Sequence, residues 1–250
     1  MTLIACALVA TWWTGTSQRL LFSSVSINNN NYPRWVNGVA LSGSRAHLLH
    51  YVRSFRHRFD LDNGARYPMR SLRGVSGQYF SFLHNLISLT LVKVMIEHIG
   101  KEDFDTCFSA FRGTLTNLNL ELFTTSFSAF VTLIDYFPNI STLQLGSLVL
   151  KPDKGPVPPL SRPLRGKLRI YCAAENYLAF FDQLARLDQR YEELVIDPGD
   201  PIAVGTRFLE NVLQFSTGTI RYFRLFGELE REYSLHILSP LHNLTQPFTS

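Results

Sequence analysis

Charge is scarce in this chain. Asp, Glu, Lys and Arg make up 18% of its 250 residues, while 46% are hydrophobic. The charged share lies below the usual quarter, and that balance excludes a disordered, self-solvating chain. The apolar content suffices for one sizeable core or for a row of small stacked ones. Cysteine is also scarce. Cys6, Cys107 and Cys172 are odd in number and far apart, which excludes a disulfide framework, a zinc site and a CxxC redox pair. Each sits in an apolar stretch (IACAL, DTCFSAF, RIYCAA) and is expected to be a buried, reduced thiol. That usage fits a cytoplasmic or nuclear compartment.

Long hydrophobic runs are missing too. MTLIACALVATWW is the nearest to one, and no Lys or Arg precedes Arg19. The run falls short of the ~20 residues that span a bilayer, and it lacks the basic start of a signal peptide. A buried amphipathic helix is the expectation, with no membrane contact. Catalytic signatures are absent as well. There is no GxSxG, HExxH, glycine-rich phosphate loop or close Cys/His pair. The seven histidines (47, 50, 57, 84, 98, 236, 242) show no metal-ligand spacing. The expectation is therefore a protein that is not an enzyme, with no cofactor and no metal.

The charge that is present is uneven. Residues 19–73 hold nine Arg, no Lys and two Asp (Asp60, Asp62), and carry +7 of a chain whose net charge is +4. Such a segment is either a nucleic-acid footprint or a solvated face. The arginines are scattered among turns and apolar residues, which favours the solvated face. Two sequons, Asn139 (NIS) and Asn243 (NLT), matter only if the chain is secreted.

What the chain has in plenty is a spaced pattern, apolar-x-x-Leu-x-apolar. It occurs as LISLTL (Leu86, Leu89, Leu91), LTNLNL (Leu115, Leu118, Leu120) and ISTLQL (Ile140, Leu143, Leu145). A weaker GKLRI (Leu168, Ile170) follows, then YEELVI (Tyr191, Leu194, Ile196) and IRYFRL (Ile220, Phe223, Leu225). The middle residues fall at 89, 118, 143, 168, 194 and 223, with intervals of 29, 25, 25, 26 and 29. Each L-x-L piece puts two apolar side chains on one face of a short strand. Between the copies lie stripes of helical spacing. They are Phe104, Phe108, Phe111, Leu115; Phe127, Phe130, Val131, Ile134, Phe137 behind an N-cap Ser126; Tyr177, Phe180, Phe181, Leu184, Leu187; and Phe208, Leu209, Val212, Leu213, Phe215. Such aromatic stripes serve as core far more often than as ligand boxes. A unit of ~25 residues cannot bury its apolar face alone, so the units must stack. The fold class expected is α/β: a leucine-rich-repeat solenoid with a parallel concave sheet and convex helices.

Two stretches depart from the pattern. KPDKGPVPPLSRP, residues 151–163, holds five prolines where a convex helix is due. Proline forbids a helix interior, so this is an extended loop of the array, a domain linker or a docking segment for a proline-binding module. The regular spacing across it favours the loop. Residues 27–80 are less periodic. Val52 and Phe55 in YVRSFRHRF read as an earlier, degraded unit 34 residues before Leu89, with HLLHYV and YFSFLHNL as helical candidates.

The segment LIACALVATWWTGTSQRLLFSSVSI now gains a reading. It resembles the closing part of an F-box, with a small Cys-Ala-Leu-Val helix, a Trp pair, a polar turn and Leu-Phe-x-x-Val leading into a first strand. The rest resembles the divergent leucine-rich repeats of F-box proteins expanded in fungi, in YVRSF, HNLISLTL, FPNISTLQLGSL, PVPPLSRPLRGKLRI and YEELVI. The resemblance implies a partial F-box over 1–27 and one repeat domain over 28–250. It also implies substrate recognition for a cullin-RING ubiquitin ligase. Two departures stand out. The Leu-Pro-x-Glu front half of an F-box, which holds much of the surface for the ligase adaptor, is not in the sequence. The Asn that follows each LxxLxL strand in the family is replaced by Val94, Phe123, Leu148, Ala173, Gly199 and Glu228, so no asparagine ladder forms. The final LSPLHNLTQPF starts another unit and stops.

In such a strand the residues between the buried leucines face the concave side. They are Ser88 and Thr90; Asn117, Asn119 and Glu121; Thr142 and Gln144; Lys167, Arg169 and Tyr171; Glu193 and Asp197; Tyr222, Arg224 and Phe226. The left end is hydroxyl- and amide-rich, the middle basic, the next repeat acidic. Tyr and Arg dominate binding hot spots, so Lys167, Arg169, Tyr171, Tyr222 and Arg224 are the expected main contacts to a protein partner. The rival readings are a scaffold without ligase contact, a secreted repeat protein and a basic nucleic-acid surface.

Overall fold

The computed structural model describes residues 11–28, 31–35, 37–38, 46–58, 80–96, 101–153, 155–171, 180, 183–184, 187, 189–197, 219–225 and 233–236. Alternation sets their framework. In SLTLV, NLNLE and TLQLG the leucines are buried and the residues between them are only partly so, as strands with one covered face require. The strands are β1 (Ser24–Asn28), β2 (Ser54–Arg58), β3 (Ser88–Val92), β4 (Asn117–Glu121), β5 (Thr124–Ser126), β6 (Thr142–Gly146), β7 (Val149–Lys151), β8 (Leu164–Tyr171), β9 (Gln189–Asp197), β10 (Tyr222–Leu225) and β11 (Tyr233–His236).

Nine of these strands form one sheet, in the order β1-β2-β3-β4-β6-β8-β9-β10-β11, and β5 pairs with β7 in a second small sheet. Every pairing in the large sheet is parallel except that of β10 with β11. The protein is an α/β chain on a mostly parallel sheet whose strand order follows the sequence.

Register repeats from strand to strand. Val25, Phe55, Leu89, Leu118, Leu143, Leu168, Leu194 and Phe223 are successive cross-strand partners. The six expected marker positions are in line, and two earlier strands extend the row. All eight side chains are buried, so a slip by one residue would turn each of them outward.

Both ends of the strands carry a repeated backbone device. At the start, the carbonyls of Ser23, Arg53, Ile87 and Thr116 each accept two amides, those of the first residue of the next strand and of the residue before it, at 2.8–3.0 Å. At the end, Lys93, Leu122 and Ser147 have φ of 59°, 52° and 49°. Their amides donate to the carbonyls of Glu121, Gly146 and Tyr171 at 2.8, 2.8 and 3.2 Å. The next residues, Val94, Phe123 and Leu148, are buried. An apolar side chain therefore fills the place where the resemblance calls for asparagine, and a left-handed residue satisfies the backbone there.

The helices are α1 (Thr11–Phe22), α2 (Tyr32–Trp35), α3 (Lys101–Phe108) and α4 (Phe127–Tyr136), with 3-10 turns at Ala46–Tyr51 and Ser109–Phe111. Ser126 caps α4 as its position predicts, its hydroxyl accepting from the Ala129 amide at 3.3 Å. The described residues of the aromatic stripes pack in the core, and Tyr177 and Phe181 lie outside the described residues. Phe55, Phe80, Phe108 and Phe137 form a chain of rings with centroids 5.5, 5.6 and 5.8 Å apart. Phe180 stands against Phe127 and Phe130 at 5.6 and 5.1 Å. Between α3 and α4, Tyr136 donates to Asp105 at 3.0 Å, and the Arg112 guanidinium lies 4.9 Å from its ring centre. Burial and that hydrogen bond push the Tyr136 phenol up to about 12.

Several expectations meet the structure directly. The stretch 151–163 contains no helix among its described residues. β6 and β8 on either side of it remain direct partners, so it is a loop within one sheet and not a linker. HLLHYV lies in a 3-10 turn, whereas residues 81–87 are turns and irregular backbone instead of helix. β11 is an antiparallel addition that the repeat did not announce. Cys107 is buried and free; Cys6, Cys172, Asn243 and the 208–215 stripe lie outside the described residues. No helix among the described residues is long and apolar enough to cross a membrane.

Candidate functional site

The sheet has a covered face, lined by the marker leucines, and a polar face. The pairing places the polar side chains in three rows that cross the strands. The first runs Ser54, Ser88, Asn117, Thr142, Lys167, Glu193, Tyr222. Next to it run Arg56, Thr90, Asn119, Gln144, Arg169, Val195 and Arg224. Arg58, Val92, Glu121, Gly146, Tyr171 and Asp197 make the third. All eleven expected contact residues lie in these rows: Asn117, Thr142, Lys167, Glu193 and Tyr222 in the first; Asn119, Gln144, Arg169 and Arg224 in the second; Tyr171 and Asp197 in the third. Phe226 lies outside the described residues. Among the described residues of these three rows only Val92 and Val195 are buried.

The basic middle and the acidic strand beside it meet directly across the pairing of β8 with β9. Glu193 sits between two cations, with Lys167 Nζ at 2.6 Å and Arg169 Nη2 at 2.8 Å. Its side chain is only 15% exposed. Burial works to raise this carboxyl, but the hydrogen bonds and charges of Lys167 and Arg169 outweigh it and hold Glu193 below its ordinary range. The bond to Glu193 in turn raises the Arg169 guanidinium. The two signs on neighbouring strands thus form one ion-paired cluster, two cations on one carboxylate, which keeps a net positive charge and ties both cationic side chains in place.

A second network occupies the other end of the face. Arg56 Nη2 reaches Glu121 Oε2 at 2.7 Å, from β2 across β3 to β4. Asn119 Nδ2 donates to the other oxygen of Glu121 at 2.9 Å. Arg56 was missing from the expected contacts, although Arg56 and Arg58 alternate with buried Phe55 and His57 as the other face residues do with leucines. Arg56 and Arg53, which donates to the Asn85 carbonyl at 3.2 Å, are spent on internal partners, and this reduces the basic surface that a nucleic acid would use. Val195 was also missing from the expected contacts, being an apolar residue at a position of the polar row.

Between the two networks lies the uncharged strip of Thr142 and Gln144. At its borders, Asn119 Oδ1 and Arg169 Nε are sealed from solvent with no hydrogen-bond partner. A buried polar atom left unpaired costs about 1–3 kcal/mol. Both atoms lie beneath the face, so this cost belongs to the fold of the strip and not to a binding surface. No group of three or more His, Cys, Asp or Glu suited to a metal exists among the described residues. The first sequon is engaged internally, with Asn139 Nδ2 donating to the Gly113 carbonyl at 2.6 Å.

A scan against protein-family models finds no match, and neither characterised proteins nor solved structures match the chain.

Proposed function

We propose that the chain is a leucine-rich-repeat solenoid whose polar sheet face captures another protein. One observation carries this reading. Seven adjacent strands hold their polar residues in register on a face that stays accessible, with Tyr and Arg at its right-hand end and both charge networks pre-ordered. Side chains already fixed before binding lose little freedom on association, and Arg and Tyr supply most of the energy at such contacts. The nearly constant interval between strands, together with the repeated backbone devices at their ends, supports the solenoid. The resemblance of residues 3–27 to an F-box gives the capture its proposed purpose, which is to present a substrate protein to a cullin-RING ubiquitin ligase. The chain itself carries out no catalysis in this account and takes no cofactor; its proposed compartment is the cytoplasm or nucleus.

Affinity capture from native extract tests the reading. Wild-type chain should retain a defined partner, with the adaptor and cullin beside it if the ligase role holds. Joint alanine substitution of Lys167, Arg169, Tyr171, Tyr222 and Arg224 should abolish retention of the partner. Undiminished capture by that variant removes the assignment of the face.

A further inference from the structure

The proline-rich segment between β7 and β8 has no part in the polar face, and the way it is held suggests a role of its own. Its two ends are pinned to opposite ends of α4. At the start of the helix, Asp153 accepts the Ser128 amide at 2.7 Å. At the end, Asp135 accepts from the amide and the hydroxyl of Ser161 at 2.8 and 2.6 Å. Arg162 donates to the terminal carbonyls of Phe137 and Ile134. An acid thus meets the positive end of the helix dipole and a base the negative end.

The chain between these anchors is too long for the distance it covers. Ser128 to Phe137 is nine residues of mostly helical chain, about 14 Å at 1.5 Å per residue. Asp153 to Arg162 is also nine residues, but proline keeps it extended, at about 28 Å of contour. The surplus bows away from the helix. A cleft of ≈ 880 Å³ separates the first half of the arch from Ala129 and Thr132 of α4. Gly155, Pro156, Val157 and Pro159 are exposed on the arch.

The conformation of the crest follows from its sequence. Each proline fixes its own φ, and each residue before a proline is driven to extended backbone. Gly155, Val157 and Pro158 all precede a proline. Beyond a bend at Gly155, these restrictions hold Pro156–Pro159 near polyproline II, three residues per turn. Pro156 and Pro159 fall on one edge, about 9 Å apart. This edge presents two X-Pro pairs, Gly155-Pro156 and Pro158-Pro159, one turn apart.

We propose that this arch is a docking ligand for a proline-recognition domain of the SH3 type, whose aromatic-lined groove reads two X-Pro pairs spaced in this way. Polyproline II needs no ordering on binding, and the two anchors restrict the segment further, which favours association. The surface is separate from the polar sheet face, so one chain can hold a substrate on the sheet and a second protein on the arch.

The test is an array of purified SH3 domains probed with the full chain, followed by calorimetric titration of those that bind. At least one domain should bind. The double variant Pro156→Ala/Pro159→Ala should weaken that domain by about tenfold or more, while Val157→Ala, on the edge away from the groove, should leave it within about twofold. Asp135→Ala frees one anchor and should weaken binding roughly threefold without abolishing it. The crest lies outside the core, so unchanged circular dichroism and melting temperature certify the fold of the proline variant. No binding on the array overturns the proposal. So does binding that survives the double proline variant, and so does binding lost only when the sheet-face residues are replaced.

Discussion

Gly166 is the position where one added methyl group should do the most damage to the sheet. It lies in β8, next to the irregularity at Gly166/Lys167 where β8 and β9 shift register. Its φ is +87°, and a Cβ built there would stand 2.1 Å from the Ser141 carbonyl oxygen. That same oxygen accepts the Lys167 amide at 2.8 Å. An alanine must either force the β6 and β8 backbones apart or turn its own peptide. The left-handed conformation costs an L-residue about 1–2 kcal/mol, and losing the Ser141–Lys167 bond adds about 0.5–1.5 kcal/mol. Gly166→Ala should therefore destabilise the protein by about 2–3 kcal/mol. Gly146 is the matched control, since a Cβ there meets nothing closer than 3.8 Å. Urea unfolding followed by circular dichroism reads both variants. A loss below about 0.5 kcal/mol at Gly166, within the range of ordinary surface changes, would refute the close approach on which the reasoning rests.

Other consequences can be measured in the same way. Leu122 is half exposed and holds φ of 52°; Leu122→Gly should stabilise by about 1 kcal/mol, because relief of the left-handed strain exceeds the entropy glycine adds to the unfolded chain. Leu118, buried at 1% exposure, should cost about 2–5 kcal/mol as alanine, and a smaller loss would argue against an interior marker. Glu193 is held below its ordinary range by Lys167 and Arg169. Its contribution is present above the unfolded value of about 4 and disappears as the pH falls through the folded value. Glu193→Gln should thus be less stable than wild type at pH 7 and equal to it once the Glu193 carboxyl is protonated in the folded and the unfolded chain; a gap that persists in acid would contradict the ion-pair origin.

The sheet was legible because the signal that forms it is local. Alternating leucines at 89/91, 118/120 and 143/145 specify both the strand and the face it buries, and equal spacing then forces adjacent units into register. Phe55 was readable for the same reason despite its longer interval. The stripe behind Ser126 showed helix and cap together. What could not be read lay between units. Glu193 looked like an acidic repeat until the pairing of β8 with β9 set it against Lys167 and Arg169. Arg56 finds Glu121 only because one intervening strand brings them within reach. The corners at Lys93, Leu122 and Ser147 carry no glycine or asparagine to announce a positive φ. The proline segment showed that a helix was excluded, but not that Asp153, Ser161 and Arg162 tie it to both ends of α4. β11 pairs against the parallel direction, which the period of the repeat cannot express.

The proposed role of the polar sheet face is to bind another protein. A photo-crosslinking residue placed at Gln144, in the strip between the two charge networks, samples that face directly, and the same residue at Ser109, exposed on the helix side, serves as control. Irradiated in native extract, the Gln144 variant should form a discrete adduct with a single protein that the Ser109 variant does not form. Adducts from Ser109 alone, or the same pattern from both positions, would contradict the assignment of the face.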